Sequence, residues 1–199
     1  MTGNDTALLA ALIVVSYLAG SFPTGLLLGR ACGVDVRKEG SGNIGATNLY
    51  RTVGRKVGVL TLAGDCLKGL LPVLLVKHGS FPVDYAVWVG FAAFCGHVFS
   101  VFLKFKGGKG VATALGVFLG LAPVAVAAAV AVFALFMLVW RYVSLSSIGA
   151  AIAMPLATVF LGCSRNMVLV TLLIAAIVIA RHHENIRRLV DGTENRFKV

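Results

Sequence analysis

Residues 111–140 read VATALGVFLGLAPVAVAAAVAVFALFMLVW, and this apolar stretch decides the fold of the chain. Its roughly 30 residues are long for one membrane crossing, which takes about 20 apolar residues, and short for two. Pro123 lies near the middle and has no N–H to continue a helix, and Gly116 and Gly120 come just before it. The stretch therefore forms either one long helix or two short helices that turn near Pro123.

The chain as a whole has the composition of a membrane protein. Of its 199 residues, 58% are hydrophobic and 13% are charged, with a mean hydropathy of +0.91. Soluble domains carry about 25% charged residues, so we predict an all-α, polytopic membrane protein with one domain over residues 1–199. A net charge of +10 would suggest nucleic-acid binding in a soluble protein. Here the basic residues flank apolar runs, and we predict no nucleic-acid partner.

Charge decides between the two forms of the 111–140 stretch. The other predicted spans are Ala7–Leu28, Val57–Val76, Asp84–Leu103, Ser147–Leu161 and Met167–Ala180, with a long polar loop over Arg30–Lys56. Two helices in 111–140 place 15 of the 18 Lys and Arg residues on one side of the membrane, whereas one helix splits them 10 against 7. Because basic residues accumulate in cytoplasmic loops, we predict seven transmembrane helices, with the N-terminus outside and the C-terminus cytoplasmic.

Three polar segments interrupt the apolar chain, and the first is GSGNIGATN at residues 40–48. Its glycines let the backbone approach a ligand, and consecutive exposed N–H groups can surround an anion. Arg51 follows on a predicted short helix, where its guanidinium can grip a phosphate with two hydrogen bonds. The predicted phosphate-binding residues are Ser41, Asn43, Thr47, Asn48 and Arg51. The alternative is a glycine-rich turn that only joins two spans.

The second polar segment, KFKGGKG at residues 104–110, leads straight into the apolar stretch at Val111. A glycine-rich loop before a helix N-terminus is an arrangement that binds phosphate. The spacing of a Walker A motif is absent, so ATP is not inferred. The predicted substrate-binding residues are Lys106, Gly107, Gly108 and Gly110, and Lys109 is predicted to act on the reacting groups. The alternative is a tight cytoplasmic turn whose lysines only set the topology.

The third polar segment, RHHEN at residues 181–185, follows the last predicted span. His182 and Asn185 are three residues apart and share a helix face. The adjacent histidines do not have metal-ligand spacing, so no metal site is predicted. A charged helix that binds anionic lipid heads is the alternative. Ser147, in the run SLSS at residues 144–147, is a further predicted hydroxyl ligand.

Two ionisable residues stand out within the predicted spans. Asp65 and Lys68 are three apart on one helix face, and we predict that they pair with each other. His97 and His78, at or near span ends, are predicted to be packing or interface residues. The four cysteines are scattered without a CxxC pair, so no disulfide is predicted.

The three polar segments in this order, together with the SLSS run, resemble the bacterial acyl-phosphate:glycerol-3-phosphate acyltransferase family (PlsY) over essentially the whole chain. The resemblance implies a multi-pass enzyme of the bacterial inner membrane whose active site faces the cytoplasm. It implies transfer of a fatty acyl group from acyl phosphate to the 1-hydroxyl of glycerol 3-phosphate, the first step of phospholipid biosynthesis. The products are 1-acylglycerol 3-phosphate and phosphate. The partners are then these two substrates and membrane lipid, with no cofactor, and a monomer is compatible with the sequence.

The expected catalytic residues are Lys109, His182, Asn185 and Ser41. The first polar segment holds one substrate phosphate, and the second segment either holds the other or bridges both. Lys109 stabilises the negative charge that develops in the transition state, and His182 and Asn185 position the attacking hydroxyl. The proton acceptor is either a substrate phosphate oxygen or His182. A covalent acyl-Ser41 is disfavoured because Ser41 has no evident base partner in the sequence. An organic-phosphate transporter and a lipid-binding structural protein are the alternatives from other functional classes.

Overall fold

The computed structural model describes residues 3–79 and 81–197, and all regular secondary structure in these ranges is helical. This confirms the all-α prediction. The helices are α1 Gly3–Ser21, α2 Thr24–Ala31, α3 Ala46–Thr52, α4 Arg55–His78, α5 Val83–Val98, α6 Val111–Leu121, α7 Pro123–Trp140, α8 Val143–Phe160, α9 Arg165–Arg181 and α10 His183–Val190, with a short 3-10 turn at Val101–Leu103. The chain forms two compact units, Met1–Leu121 and Ala122–Val199, which are described separately.

Five helical stretches in the described ranges are long and apolar enough to cross a membrane. They are Asp5–Ala31, Arg55–His78, Asp84–Leu103, Pro123–Trp140 and Val143–Phe160. The bent pair formed by α9 and α10 raises the number to six, and α6 is a shorter apolar helix. Hydropathy and helix length therefore agree with the sequence-based prediction of a polytopic membrane protein.

The stretch at 111–140 is two helices, as the charge distribution favoured. Helix α6 ends at Leu121, and α7 begins with Pro123 at its first position. Proline is well suited to that position because the first N–H of a helix has no helical partner in any case. Ala122 separates the helices, and its φ of −147° and ψ of 68° are not helical.

The predicted span Ala7–Leu28 is also two helices, and this break was not predicted. Helix α1 ends at Ser21 and α2 begins at Thr24, with Pro23 between them. Pro23 cannot donate a backbone hydrogen bond, so the helix cannot continue through it without losing one. At this break, the Phe22 carbonyl accepts hydrogen bonds from the Thr24 N–H at 3.0 Å and from Lys68 Nζ at 2.8 Å.

The predicted long loop Arg30–Lys56 is more ordered than expected. Arg30 belongs to α2, Arg55 and Lys56 begin α4, and α3 lies between them. A small apolar cluster of buried residues lies beneath this region and anchors it to the unit. Its members are Leu26, Val36, Ile44 and Leu49.

Small residues in the first unit allow α6 to pack closely along the second half of α4. A side chain at Gly69 would collide with the Thr113 carbonyl, and one at Gly116 would collide with the Cys66 carbonyl. At the far end, Lys77 Nζ donates to the Gly120 carbonyl at 2.9 Å. The first turns of α6 therefore lie beside the middle of α4, and the two helices run in the same direction.

In the second unit, α8 packs against both α7 and α9. Thr158 on α8 and Thr171 on α9 form a buried hydrogen bond of 3.2 Å between their hydroxyls. Helix α10 leaves α9 at an angle of 57°. The chain after α10 then returns to the start of α8, where the Phe197 N–H donates to the Arg141 carbonyl at 2.7 Å.

Candidate functional site

The first polar segment is organised around the buried side chain of Asn48. Its Oδ1 accepts a hydrogen bond from the Ser41 N–H at 2.9 Å. Its Nδ2 lies within hydrogen-bond distance of three carbonyl oxygens, those of Val36 at 3.1 Å, Glu39 at 3.1 Å and Asn43 at 2.8 Å. Both halves of the amide are therefore occupied by the backbone of the loop that Asn48 closes.

Local sequence explains the shape of this loop. Gly40 and Gly42 have φ of 56° and 69°, a region that favours glycine, and a side chain at Gly40 would collide with Asn48. Asn43 accepts a hydrogen bond from the Gly45 N–H at 2.8 Å through its Oδ1, which forms a turn just before α3. Glycine conformation and hydrogen bonds within the segment therefore define the shape of the loop.

The residues predicted to bind phosphate in this segment separate into two groups. Asn43 and Asn48 bond the loop itself. Ser41 and Arg51 are exposed, and Thr47 is half-buried on the first turn of α3. Nearby, Arg37 contacts Asp35 at 2.7 Å on the surface, and its hydrogen bond holds the pKa of Asp35 well below the usual range.

The second polar segment is held against the end of α5. The Gly107 N–H donates to the Val98 carbonyl at 3.1 Å, and the Gly108 N–H donates to the His97 carbonyl at 3.2 Å. These two N–H groups, which the sequence predicted as anion ligands, thus bond the segment to the helix. The first hydrogen bond of α6 runs from the Ala114 N–H to the Gly110 carbonyl at 2.7 Å. The amides of residues 111–113 precede that bond, at the positive end of the helix dipole.

Lys109 lies at the turn into α6. It is half-buried between Gly108 and Gly110, which are both buried, whereas Lys106 is exposed. Gly110 has a φ of 84°, and a side chain there would collide with the Phe94 ring. The glycines therefore bring the backbone close to α5 and leave Lys109 as the partly enclosed cation of the segment.

A buried ionic group lies next to the second segment. Lys68 Nζ is 2.8 Å from Asp65 Oδ1, which confirms the predicted pair. His97 Nδ1 is 3.6 Å from the same carboxylate oxygen, and both Asp65 and His97 are buried. The sequence predicts a packing or interface role for His97 and does not indicate this contact, since the two residues belong to different helices and no local spacing relates them.

In the second unit, His182 of the third polar segment occupies the bend between α9 and α10. It is buried, and its Nδ1 is 2.7 Å from the Val178 carbonyl. A carbonyl can only accept, so Nδ1 carries the proton and donates. In the neutral ring Nε2 then has the lone pair, which is the form required of a hydrogen-bond acceptor or base.

Glu194 connects Asn185 of the same segment to α8. Its side chain is only 7% exposed and accepts three hydrogen bonds of 2.7 Å. The donors are Ser144 Oγ, Asn185 Nδ2 and Arg188 Nε. Burial alone would raise the pKa of Glu194, but the bonds from Arg188, Ser144 and Asn185 outweigh it and hold the pKa below its usual value.

No sequence pattern indicates Glu194, which lies nine residues beyond Asn185 and outside any helical spacing from it. The predicted ligand Ser147 and its neighbour Ser144 lie in different environments. Ser147 is buried, and its hydroxyl donates to the Val143 carbonyl at 2.8 Å, whereas Ser144 contacts Glu194. Within residues 3–79 and 81–197, no group of three or more His, Cys, Asp or Glu side chains is placed to hold a metal ion.

Comparison with known proteins gives consistent matches. The family model described as glycerol-3-phosphate acyltransferase matches residues 10–192. A glycerol-3-phosphate acyltransferase of Trichlorobacter lovleyi is 67% identical, over 94% of this chain and 96% of that protein. One from Geobacter sulfurreducens is 59% identical, over 94% of this chain and 97% of that protein.

Two solved structures are also similar, both of the integral membrane glycerol 3-phosphate acyltransferase PlsY (YgiH). The glycerol 3-phosphate form is 42% identical with a TM-score of 0.91, covering 96% of each chain. The lysophosphatidic acid form is 41% identical with a TM-score of 0.88, covering 96% of this chain and 95% of that one.

Proposed function

The chain belongs to the glycerol-3-phosphate acyltransferase family, and we propose that it transfers a fatty acyl group from an acyl phosphate to the 1-hydroxyl of glycerol 3-phosphate. The products are 1-acylglycerol 3-phosphate and inorganic phosphate, at the first step of phospholipid biosynthesis. The observation that carries the proposal is the family match over residues 10–192, which includes all three polar segments.

The same proposal includes seven spans, an outside N-terminus and a cytoplasmic C-terminus, in a bacterial inner membrane with the active site facing the cytoplasm. The separation of α6 from α7 and the grouping of 15 of the 18 Lys and Arg residues support it. Alkaline phosphatase fused to the C-terminus should be inactive in cells, because that enzyme matures only outside the cytoplasm. An active fusion would contradict the seven-span arrangement.

Each polar segment of the first unit holds a phosphate in this mechanism. Ser41, Thr47 and Arg51 supply ligands in the first segment, while Asn43 and Asn48 shape its loop. In the second segment, Lys106, Gly107, Gly108 and Gly110 form the loop. Lys109 and the amides that begin α6 then face the second phosphate.

Lys109 stabilises the negative charge that develops during acyl transfer. Acyl transfer places negative charge on the carbonyl oxygen and then on the departing phosphate, and a fixed cation lowers the energy of both. We expect Lys109→Ala to lower kcat/KM by about 10²-fold or more. The matched control is Lys106→Ala, which removes an exposed cation from the same segment and should have a much smaller effect. Near-wild-type activity of Lys109→Ala would refute the role.

His182 and Asn185 position the acceptor hydroxyl. Because Nδ1 donates to the Val178 carbonyl, Nε2 is the acceptor nitrogen of the neutral ring, which suits it to receive a hydrogen bond from that hydroxyl. Either Nε2 or an oxygen of the acyl phosphate then takes the proton. His182→Gln and His182→Ala separate these routes, because glutamine retains hydrogen bonding but is not a base. High kcat for His182→Gln and low kcat for His182→Ala would indicate positioning, with the proton taken by phosphate.

Turnover by the purified protein in lipid vesicles is the direct test. Palmitoyl phosphate and glycerol 3-phosphate together should release inorganic phosphate and form 1-acylglycerol 3-phosphate in equal amounts. Omitting glycerol 3-phosphate should reduce phosphate release to the rate without protein. Uptake of glycerol 3-phosphate into vesicles without acylation would overturn the proposal in favour of transport.

A further inference from the structure

We propose that His97 and Asp65 position the second polar segment, so that two residues outside all three segments set its affinity for phosphate. The inference rests on the proposed function for the identity of the reaction. The geometry of the first unit carries it, because the pair joins α4 and α5 to the loop that precedes α6.

His97 contacts the second segment with both its backbone and its ring. Its carbonyl accepts the Gly108 N–H at 3.2 Å. Its ring packs against Gly108 so closely that a side chain at that glycine would collide with Nε2. The position of the ring therefore determines where the backbone of Gly108 lies, and with it the direction of Lys109.

Asp65 determines how the ring is oriented. Its carboxylate lies 3.6 Å from His97 Nδ1, on the side of the ring away from Gly108. A carboxylate next to Nδ1 favours the tautomer with a proton there and turns Nε2 towards the segment. Histidines that bind metals are oriented by a direct hydrogen bond to a carboxylate, and loss of that carboxylate typically costs 10- to 100-fold in affinity or activity. At 3.6 Å, the Asp65 carboxylate acts on the His97 ring through electrostatic attraction.

Asp65 is itself fixed by Lys68. The Lys68 ammonium lies 2.8 Å from Asp65 and also donates to the Phe22 carbonyl at the α1–α2 break at 2.8 Å. A buried carboxylate with two partners has little freedom to move, and removing one partner of a buried ion pair is costly. The chain of contacts runs from the α1–α2 break through Lys68, Asp65 and His97 to Gly108.

A purely structural role makes a different prediction. Loss of a buried polar contact would then lower the amount of folded protein and its Tm, and KM for both substrates would stay the same. A positioning role changes KM for the substrate whose phosphate binds at the second segment, and leaves the other KM unchanged. The split between the two KM values therefore separates the two roles.

The experiment compares His97→Asn, His97→Gln and Asp65→Asn with the wild type. Asparagine places its amide near the former Nδ1 and loses the group beside Gly108, whereas glutamine reaches the Nε2 position. We expect His97→Asn and Asp65→Asn to raise one substrate KM by about 10-fold, and the inhibition constant of inorganic phosphate equally. His97→Gln should recover part of this loss. Thr158→Val is the control, because it removes a buried hydrogen bond in the other unit and should lower Tm without changing either KM.

A binding measurement keeps this test independent of turnover. Inorganic phosphate that binds the folded protein raises its Tm, and a variant with weaker binding needs more phosphate for the same rise. We expect about 10-fold more for His97→Asn than for the wild type. Unchanged KM values and an unchanged phosphate response in both His97→Asn and Asp65→Asn would overturn the inference. If the wild type binds phosphate but shows no acyl transfer, the proposed function fails and the phosphate response alone decides this inference.

Discussion

The polar clusters of the two units are centred on different kinds of side chain, one neutral and one charged. In the first unit, the neutral amide of Asn48 bonds four backbone groups of its own loop. In the second unit, the charged carboxylate of Glu194 bonds three side chains from α8 and α10. An amide that bonds backbone fixes the path of a chain, whereas a carboxylate that bonds side chains fixes their directions. The stability of the first cluster should therefore not depend on pH, whereas that of the second cluster should.

Asn48→Ala is expected to have the largest effect on stability and activity. It removes the partners of one backbone N–H and three carbonyls, and each buried group left without a partner costs about 1–3 kcal/mol. The contact with the Val36 carbonyl is buried and the other three are part-buried, so we expect a loss of about 3 kcal/mol in unfolding free energy and no measurable acyl transfer. Thermal unfolding in detergent and the phosphate-release assay measure the two effects.

Asn48→Asp sharpens the same test, since aspartate keeps the acceptor for the Ser41 N–H but points an oxygen at the three carbonyls. It should be as harmful as alanine. Thr52→Val is the matched control, because it deletes only a hydroxyl that bonds the Asn48 carbonyl. A wild-type Tm for Asn48→Asp would contradict the role of the amide as donor.

Glu194→Gln tests whether the charge of the carboxylate stabilises the second cluster. The three donors hold the pKa of Glu194 below its usual value, so its carboxylate stabilises the folded state fully above about pH 4.5 and loses that effect as pH falls through the lowered pKa. Glutamine lacks the charge, and hydrogen bonds to charged groups contribute about 1.5–3 kcal/mol. The Tm of the wild type should exceed that of Glu194→Gln at pH 7, and the two should converge in acid.

Glu184→Gln is the control for Glu194. Glu184 is 67% exposed and lies 4.0 Å from the same Arg188, so its loss should change neither the Tm at pH 7 nor its dependence on pH. If the wild type and Glu194→Gln differ by the same Tm at every pH, the carboxylate charge does not hold the cluster together.

Ser144→Ala and Ser147→Ala separate two serines of one short run. Ser144 donates to the shared carboxylate, so its loss should cost about 1 kcal/mol and lower activity through Asn185. Ser147 donates to a carbonyl of its own helix, an interaction that contributes little to stability. Equal effects of the two variants on Tm and kcat/KM would show that the Ser144 hydrogen bond does not contribute to the cluster.

Asp35→Asn should have the smallest effect. The pKa of Asp35 is strongly lowered by the hydrogen bond from Arg37, but the pair lies at the surface, where such pairs contribute little. We expect Tm and kcat/KM to match the wild type at both low and high salt. A clear fall in Tm would show that this pair supports the first polar segment.

Local patterns allowed part of the fold to be predicted. The Asp65–Lys68 pair follows from helical spacing, because residues three apart on a helix share a face. The break before Pro123 follows from charge, because only two helices there keep most cations on one side. In both cases the decisive information lies within one segment or in the composition of the whole chain.

Contacts between distant segments were not predictable in this way. Pro23 interrupts a helix, but Pro72 and Pro155 lie inside α4 and α8, so a proline by itself does not decide whether a helix ends. The surrounding packing decides, and a single sequence does not encode it locally. Glu194 and His97 were missed for the same reason, since their partners are brought to them only by the fold.

The register of α6 on α4 bears on the routes by which the two substrates arrive. Helix α6 begins beside Cys66 and Gly69, and Cys66 is 11 residues beyond Arg55, or about 16 Å along the helix. If Arg55 lies at the membrane surface, α6 begins about 16 Å below that surface in a hydrocarbon layer about 30 Å thick. We then expect glycerol 3-phosphate to reach the second polar segment from the water, whereas the acyl chain of the proposed donor would enter sideways from the lipid.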